Sequence, residues 1–281
     1  MSAASENLLE VTDLVKHFPI KRGLLIDREV DQVRAVDGVS FGVARGETLG
    51  LVGESGSGKS TVCRTVLQLL KPTSGSVRFE GREIAGLSRR QMRPLRPEMQ
   101  MIFQDPYASL NPRKRVGQIV GDPLRLQRRA SGAELRHRVQ ELLERVGLAP
   151  EHYERYPHEF SGGQRQRVGI ARALALQPKL IVADEPVSAL DVSIRSQIVN
   201  LLDDLQDELG LTYVFVAHDI GVVRHVSDRI AVMHNGKIVE QGPADRVCEQ
   251  PSDPYTKTLL AAIPVPDPRE SRARQANSTP L

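Results

Sequence analysis

The chain has 281 residues, 40% hydrophobic and 26% charged, enough for one large domain with a subdomain around a real core. Its 38 basic and 35 acidic residues leave a net charge of +3, which excludes a chain-wide nucleic-acid footprint. No stretch approaches the roughly 18 apolar residues of a membrane-spanning helix, and Cys63 and Cys248 match no metal or redox spacing.

The N-terminus, Met1 to Glu10, lacks a signal-peptide apolar core, so the chain is expected to stay in the cytosol. Alternating or apolar patterns over 8–18, 34–43 and 77–80 predict strands, broken by Gly46 and Gly81. A short apolar strand, 48–52, runs into a glycine-rich loop and a predicted helix over about 60–70, with Pro72 as its stop. From about 88 to 164 the chain turns basic and proline-interrupted. Its basic clusters at 89–96, 113–115 and 125–129 read either as solvated faces or as membrane-proximal or partner-facing surface. Its clearest helix is 133–146, with Ser131 and Glu134 in a capping-box pattern and Gly147 as a stop. A fully apolar strand, 180–183, then ends in Asp184-Glu185. Ile194, Ile198, Leu201, Leu205 and Leu209 mark one face of a helix that Gly210 ends. A buried strand, 213–217, ends in His218, and Asn235-Gly236 turns a hairpin between 230–233 and 238–239.

This order predicts an α/β fold. The glycine-rich loop between the 48–52 strand and its helix points to a P-loop NTPase (RecA-like) core over 8–87 and 165–250, with an N-terminal antiparallel β subdomain and an inserted helical subdomain expected over about 88–164. Residues 251–281 form a C-terminal extension whose last part is expected to be disordered.

The chemistry begins at Gly53-Glu-Ser-Gly-Ser-Gly-Lys-Ser60, a complete G-x-x-x-x-G-K-S between strand and helix. Its glycines, Gly53, Gly56 and Gly58, let backbone N–H groups, with those of Glu54, Ser55, Ser57 and Thr61 nearby, turn toward a phosphate chain at a helix N-terminus. Lys59 is expected to reach the β- and γ-phosphates of ATP and Ser60 to bind Mg²⁺. Asp184 would meet the same metal, and Glu185 follows where an attacking water is oriented. Phosphoryl transfer needs positioning and charge neutralisation rather than a nucleophilic side chain.

Phe160-Ser-Gly-Gly-Gln-Arg165 resembles the signature L-S-G-G-Q of ABC ATPases, with Phe160 in place of leucine; Ser161 and Gln164 also spell a helix cap. In that family Ser161, Gly162, Gly163 and Gln164 would face the γ-phosphate held by a second subunit. The resemblance extends to Gln104 as the Q-loop glutamine, also near the metal. It further takes in Asp191, closing Ser188-Ala-Leu-Asp191 as the D-loop, and His218 as the switch histidine. Phe18 matches the aromatic position on which adenine stacks; as a residue alone it also reads as a core aromatic.

Several runs resemble the peptide and nickel importer branch: Arg34-Ala-Val-Asp-Gly-Val-Ser-Phe41, Gln104-Asp-Pro-Tyr-Ala-Ser-Leu-Asn-Pro112, Tyr156-Pro-His-Glu-Phe160 and Asp253-Pro-Tyr-Thr-Lys257. The segment 19–33 looks like the insertion of the second ATPase in such systems. The resemblance implies a subunit powering short-peptide import, or else nickel or other small-solute import, at the cytoplasmic face of the inner membrane. Its partners would be a different ATPase, two transmembrane permease subunits and, indirectly, an extracytoplasmic binding protein. The runs around Asn111-Pro112 and Pro254-Tyr-Thr would face the membrane subunits or the partner ATPase. Many branch members end in a cysteine-containing segment that holds an iron–sulfur cluster in some. Nothing after Cys248 is cysteine here, so no cluster is carried over. A soluble ABC ATPase acting on ribosomes or DNA is the rival class, and the single ATPase domain without a heptad run argues against it.

Overall fold

The computed structural model describes residues 7–22 and 28–262. It opens with a ribbon in which β1 (Asn7–Arg22) pairs antiparallel with β2 (Arg28–Ala44). Both strands overrun their predicted limits. Much of the stretch read as an insertion is therefore paired strand, with Phe18 opposite Val33 and Lys21 opposite Glu29.

β3 (Thr48–Val52) is buried throughout and leads through the glycine loop into α1 (Lys59–Val66). That helix is shorter than 60–70, and Pro72 is not its stop. Gln68 turns left-handed at φ 53°, and the N–H groups of Leu69 and Leu70 both return to the Arg64 carbonyl. These bonds close the last turn before proline is reached. β4 (Ser74–Phe79) and β5 (Arg82–Glu83) complete a four-stranded antiparallel sheet in the order β2-β1-β4-β5.

α2 (Arg89–Met92) starts in a capping box of Ser88 and Gln91. β6 (Met99–Ile102) follows, and it corrects the sequence reading. It lies inside the stretch assigned to the helical subdomain, yet it pairs in parallel with the core strand that holds Leu180 to Ala183. Four residues, two of them the helix-favouring methionine, carry no period to read; burial beside the neighbouring strand decides their conformation.

The helical insert then comprises α3 (Pro106–Ser109), α4 (Val116–Leu126) and α5 (Gly132–Arg145). The capping box expected at the start of α5 is not formed. Ser131 makes no side-chain cap bond, and Glu134 pairs with Arg138 one turn on, at 2.7 Å. α6 (Gly162–Leu174) leads back into the core.

There follow β7 (Leu180–Asp184), α7 (Val192–Leu209), β8 (Thr212–Ala217), α8 (Ile220–Val226), β9 (Arg229–His234), β10 (Lys237–Pro243), α9 (Ala244–Glu249) and α10 (Pro254–Ala261). Gly210 ends α7 in a left-handed conformation, φ 63°, as its position predicts. The second sheet has the order β10-β9-β3-β8-β7-β6, parallel except for β10.

Alternation along these strands builds two cores. Leu49, Leu51, Val182, Val214 and Val216 face α1 and the antiparallel sheet. Val52, Ile181, Ala183, Phe215 and Val232 face α6, α7, α8 and the helical insert. Each large side chain so buried contributes about 1.5–3 kcal/mol. A sheet covered on both faces leaves its strand ends as the place for chemistry. No helix among the described residues is long and apolar enough to cross a membrane. The C-terminal residues expected to be disordered lie outside the described residues.

Candidate nucleotide site

Four adjacent parallel strands deliver the candidate residues to one edge of the sheet. β3 ends at the glycine loop, β8 at His218, β7 at Asp184 and Glu185, and β6 just before Gln104. Open parallel sheets bind ligands beyond these carboxyl ends.

The glycine loop is shaped by lack of room. A Cβ on Gly53 would lie 2.2 Å from the Met233 carbonyl oxygen, and one on Gly58 2.1 Å from that of Ala35. Gly58 has φ 105° and stands at the start of α1, where no side chain caps the helix. The first N–H groups of α1 are thus available to an anion. Lys59 is 4% exposed, and its Nζ donates to the carbonyls of Gly53 and Glu54 at 2.7 and 2.8 Å. Burial pulls its pKa below the usual lysine range, against the opposing pull of Glu185 and Asp184.

Ser60 donates from Oγ to Asp184 Oδ1 at 2.8 Å. Burial raises the Asp184 carboxyl above the usual range, and the Ser60 bond partly offsets it. Glu185 adopts a left-handed backbone, φ 47°, a conformation costing of order 1–3 kcal/mol that concentrates at functional sites. Its N–H donates to the Val216 carbonyl at 2.9 Å, which holds the bend against β8. Its Oε2 accepts from Gln104 Nε2 at 2.8 Å and lies 3.6 Å from His218 Nδ1.

Lys59, Ser60, Gln104 and Glu185 line a cleft of about 470 Å³ with Ser55, Gly56, Gly58 and Thr61, while Asp184 and His218 do not line it but stand against Ser60 and Glu185. A larger cavity, about 810 Å³, lies among α5, α6 and α7 and holds none of them, so volume does not mark the site. Gly53 and Ser57 are buried behind the loop and Glu54 is on its exposed flank.

Phe18 is 37% exposed, so it is not a core aromatic. It does not line the cleft but pairs with Val33, which does, and Lys16 Nζ lies 4.9 Å from its ring centre.

Ser161, Gly162, Gly163, Gln164 and Asp191 are elsewhere. Ser161 and Gln164 form the capping box of α6 that the sequence predicts, and Asp191 caps α7 by accepting from the Ile194 N–H at 3.0 Å. The two helix starts are packed together, since a Cβ on Gly163 would lie 2.4 Å from Ile194 Cγ2. The sequence-derived set thus divides into two clusters.

Sequence reasoning missed part of the cleft wall. Arg34 and Ala35 read as strand and as the start of an importer-branch run, and Asn235 and Gly236 as a turn, yet all four line it. The Gly236 N–H donates to the Ser57 carbonyl at 3.0 Å, tying that turn to the loop. Tyr255, in the run Asp253 to Lys257, accepts from the Glu54 N–H at 3.1 Å.

The glycine loop, Lys59 and the strand-end acids define a nucleotide-binding P-loop ATPase cassette. Residues 36–188 match the family described as ABC transporter, and residues 239–281 match the oligopeptide/dipeptide transporter C-terminal region. The oligopeptide transport ATP-binding protein AppF of Bacillus subtilis is 53% identical over 98% of this chain and 84% of its own. The di/tripeptide transport ATP-binding protein DppF of Pseudomonas aeruginosa is 50% identical over 98% of this chain and 85% of its own. Among solved structures, a dimeric post-hydrolysis ATP-binding cassette bound to ADP and Pi superposes with TM-score 0.74, at 33% identity, over 84% of this chain and 98% of that one. CbiO1 of Clostridium perfringens, part of an ABC transporter complex, gives 0.76 at 28% identity over 98% of this chain and all of that one. The chain belongs to the ABC transporter family.

Proposed function

We propose that this chain hydrolyses ATP to power the import of short peptides across a bacterial cytoplasmic membrane. The observation that carries it is the convergence of Lys59, Ser60, Asp184, Glu185, Gln104 and His218 at four adjacent strand ends. The named peptide-transport relatives support the choice of cargo.

In this reading the loop amides and Lys59 hold the β- and γ-phosphates, and adenine stacks near Phe18. Glu185 orients the attacking water, with Gln104 and His218 steadying its carboxylate. The water oxygen bonds to the γ-phosphorus, the bond to the β-bridging oxygen breaks with its electron pair leaving on ADP, and the water proton departs through Glu185. Ser60 and Asp184, with the amide oxygen of Gln104, offer hard oxygens that fit Mg²⁺, an ion that keeps phosphate and water ligands. When bound, Mg²⁺ would neutralise charge on the phosphate oxygens.

The second cluster, Ser161 to Gln164 with Asp191, would complete the site of a facing ATPase. Hydrolysis would then be gated by closure of a pair. We infer that the partner is a different ATPase, that both work with two permease subunits at the cytoplasmic membrane face, and that an external binding protein delivers cargo.

Glu185→Gln in the assembled transporter tests the chemistry. ATP binding is expected to persist while turnover drops at least tenfold, about 1.4 kcal/mol of barrier. Retention of more than about a tenth of turnover would remove Glu185 from this role. Deleting the gene is expected to abolish growth on di- or oligopeptides as sole source of a required amino acid. Normal peptide uptake with failed nickel uptake would overturn the cargo.

A further inference from the structure

The Tyr255–Glu54 contact reaches the phosphate loop from the C-terminal helix, outside every residue assigned to that loop. The Glu54 N–H that donates to Tyr255 Oη at 3.1 Å belongs to the Gly53–Glu54 peptide unit. The other end of that unit, the Gly53 carbonyl, accepts the Lys59 ammonium at 2.7 Å. Peptide N–H and C=O point in opposite directions across a rigid trans plane, and no peptide among the described residues is cis. Tyr255 and Lys59 therefore hold one plane from its two sides, and each hydrogen bond polarises the other.

The tyrosine is itself fixed. Its ring lies 3.9 Å from that of His234, next to Asn235 on the cleft wall. Asp253 caps α10 by accepting from the Tyr255 N–H at 2.8 Å. The Glu240 carboxylate, on β10, accepts from the Ser252 and Asp253 N–H groups at 2.8 and 3.1 Å. A continuous set of bonds thus runs from the core sheet through α10 to the plane on which Lys59 rests.

Taking the cleft as the ATP site proposed above, we propose that Tyr255 is a positioning residue for nucleotide binding. It orients the Gly53–Glu54 peptide and through it Lys59 Nζ, so the C-terminal segment sets the ATP affinity of the phosphate loop. Tyr255 does not touch nucleotide in this arrangement; it acts only through the peptide.

Tyr255→Phe keeps the ring against His234 and removes the acceptor alone. One net hydrogen bond corresponds to roughly a two- to tenfold change. In the full chain, the Kd for ATP is expected to rise by that factor. In the assembled transporter, KM for ATP should rise likewise, with kcat changing less. Hydrogen exchange of the peptide carrying the Glu54 amide should quicken in the nucleotide-free chain, while the nucleotide-free melting temperature stays within about a degree. Unchanged ATP affinity overturns the proposal whether or not exchange quickens. Weakened affinity accompanied by a clear fall in nucleotide-free melting temperature overturns it as well, because the hydroxyl would then be structural. Should Tyr255→Phe fold poorly, His234→Ala, which frees the ring, must raise Kd in the same direction or the proposal fails. Wild-type chain that does not bind ATP at all would sink the ATP reading itself. ATP binding lost on Lys59→Ala but untouched in Tyr255→Phe would sink this inference alone.

Discussion

Two helix N-termini in this molecule solve the same problem in opposite ways. α1 follows Gly58 without a side-chain cap, and its lysine is folded onto the loop's own carbonyls. α6 begins with Ser161, whose Oγ accepts from the Gln164 N–H at 3.3 Å while Gln164 Oε1 accepts from the Ser161 N–H at 3.0 Å. The first arrangement leaves donors open within the chain's own cleft. The second pairs two of its donors, the Ser161 and Gln164 N–H groups, internally and sits on the surface with Ser161 exposed. Such a helix start is capped by its own residues, whereas the uncapped donors of α1 face the chain's own cleft.

The sharpest way to break the α1 side is Gly58→Ala. The left-handed backbone alone costs of order 1–3 kcal/mol, and the new Cβ would meet the Ala35 carbonyl oxygen at 2.1 Å. Urea unfolding is expected to show a loss at the top of that range, together with lost ATP binding. A midpoint equal to wild type would mean that the loop has room it does not show.

The α6 side is broken from outside by Gly162→Asp. Its Cβ would lie 3.4 Å from Leu190 Cδ2, an ordinary contact, so the fold should accept it. A carboxylate there repels an approaching phosphate. Turnover of the assembled pair is expected to fall at least tenfold, about 1.4 kcal/mol, while ATP affinity of the isolated chain stays within about twofold. Weakened affinity in the isolated chain would erase the distinction between the two helices.

The α1 side was legible because its grammar is local: strand, glycines, Lys59, Ser60. The same holds for the α6 cap, where Ser161 and Gln164 are three apart. What escaped reading depended on tertiary pairing. β6 is four residues without a period, and only its place beside β7 makes it a strand. Ser131 and Glu134 had the spacing of a cap, but Arg138 captured the carboxylate. Asn235 and Tyr255 reach the loop across long sequence separations, and nothing in their neighbours announces it. Phe18 stands opposite Val33, which lines the cleft where Phe18 does not, and that placement is set by strand register rather than by its neighbours in sequence.

The smallest expected effect concerns the charge held under α1. Burial raises the Asp184 carboxyl above its ordinary value of 3.8, with only partial relief from Ser60. A group whose folded pKa is raised binds its proton more tightly when folded. The stability it contributes is present below the unfolded value and lost as pH rises through the folded one. At neutral pH the ionised Asp184 therefore weighs against the nucleotide-free fold. Asparagine keeps an acceptor for Ser60 and carries no charge. Urea midpoints in the presence of a metal chelator should then favour Asp184→Asn at pH 7, with the advantage shrinking toward pH 4. The variant should be inactive, because it has lost the carboxylate placed beside Ser60. A variant less stable than wild type at pH 7, at equal denaturant slope, would mean that the attraction to Lys59 outweighs burial. The open helix end of α1 would then be stabilised by its own acid rather than waiting for a ligand.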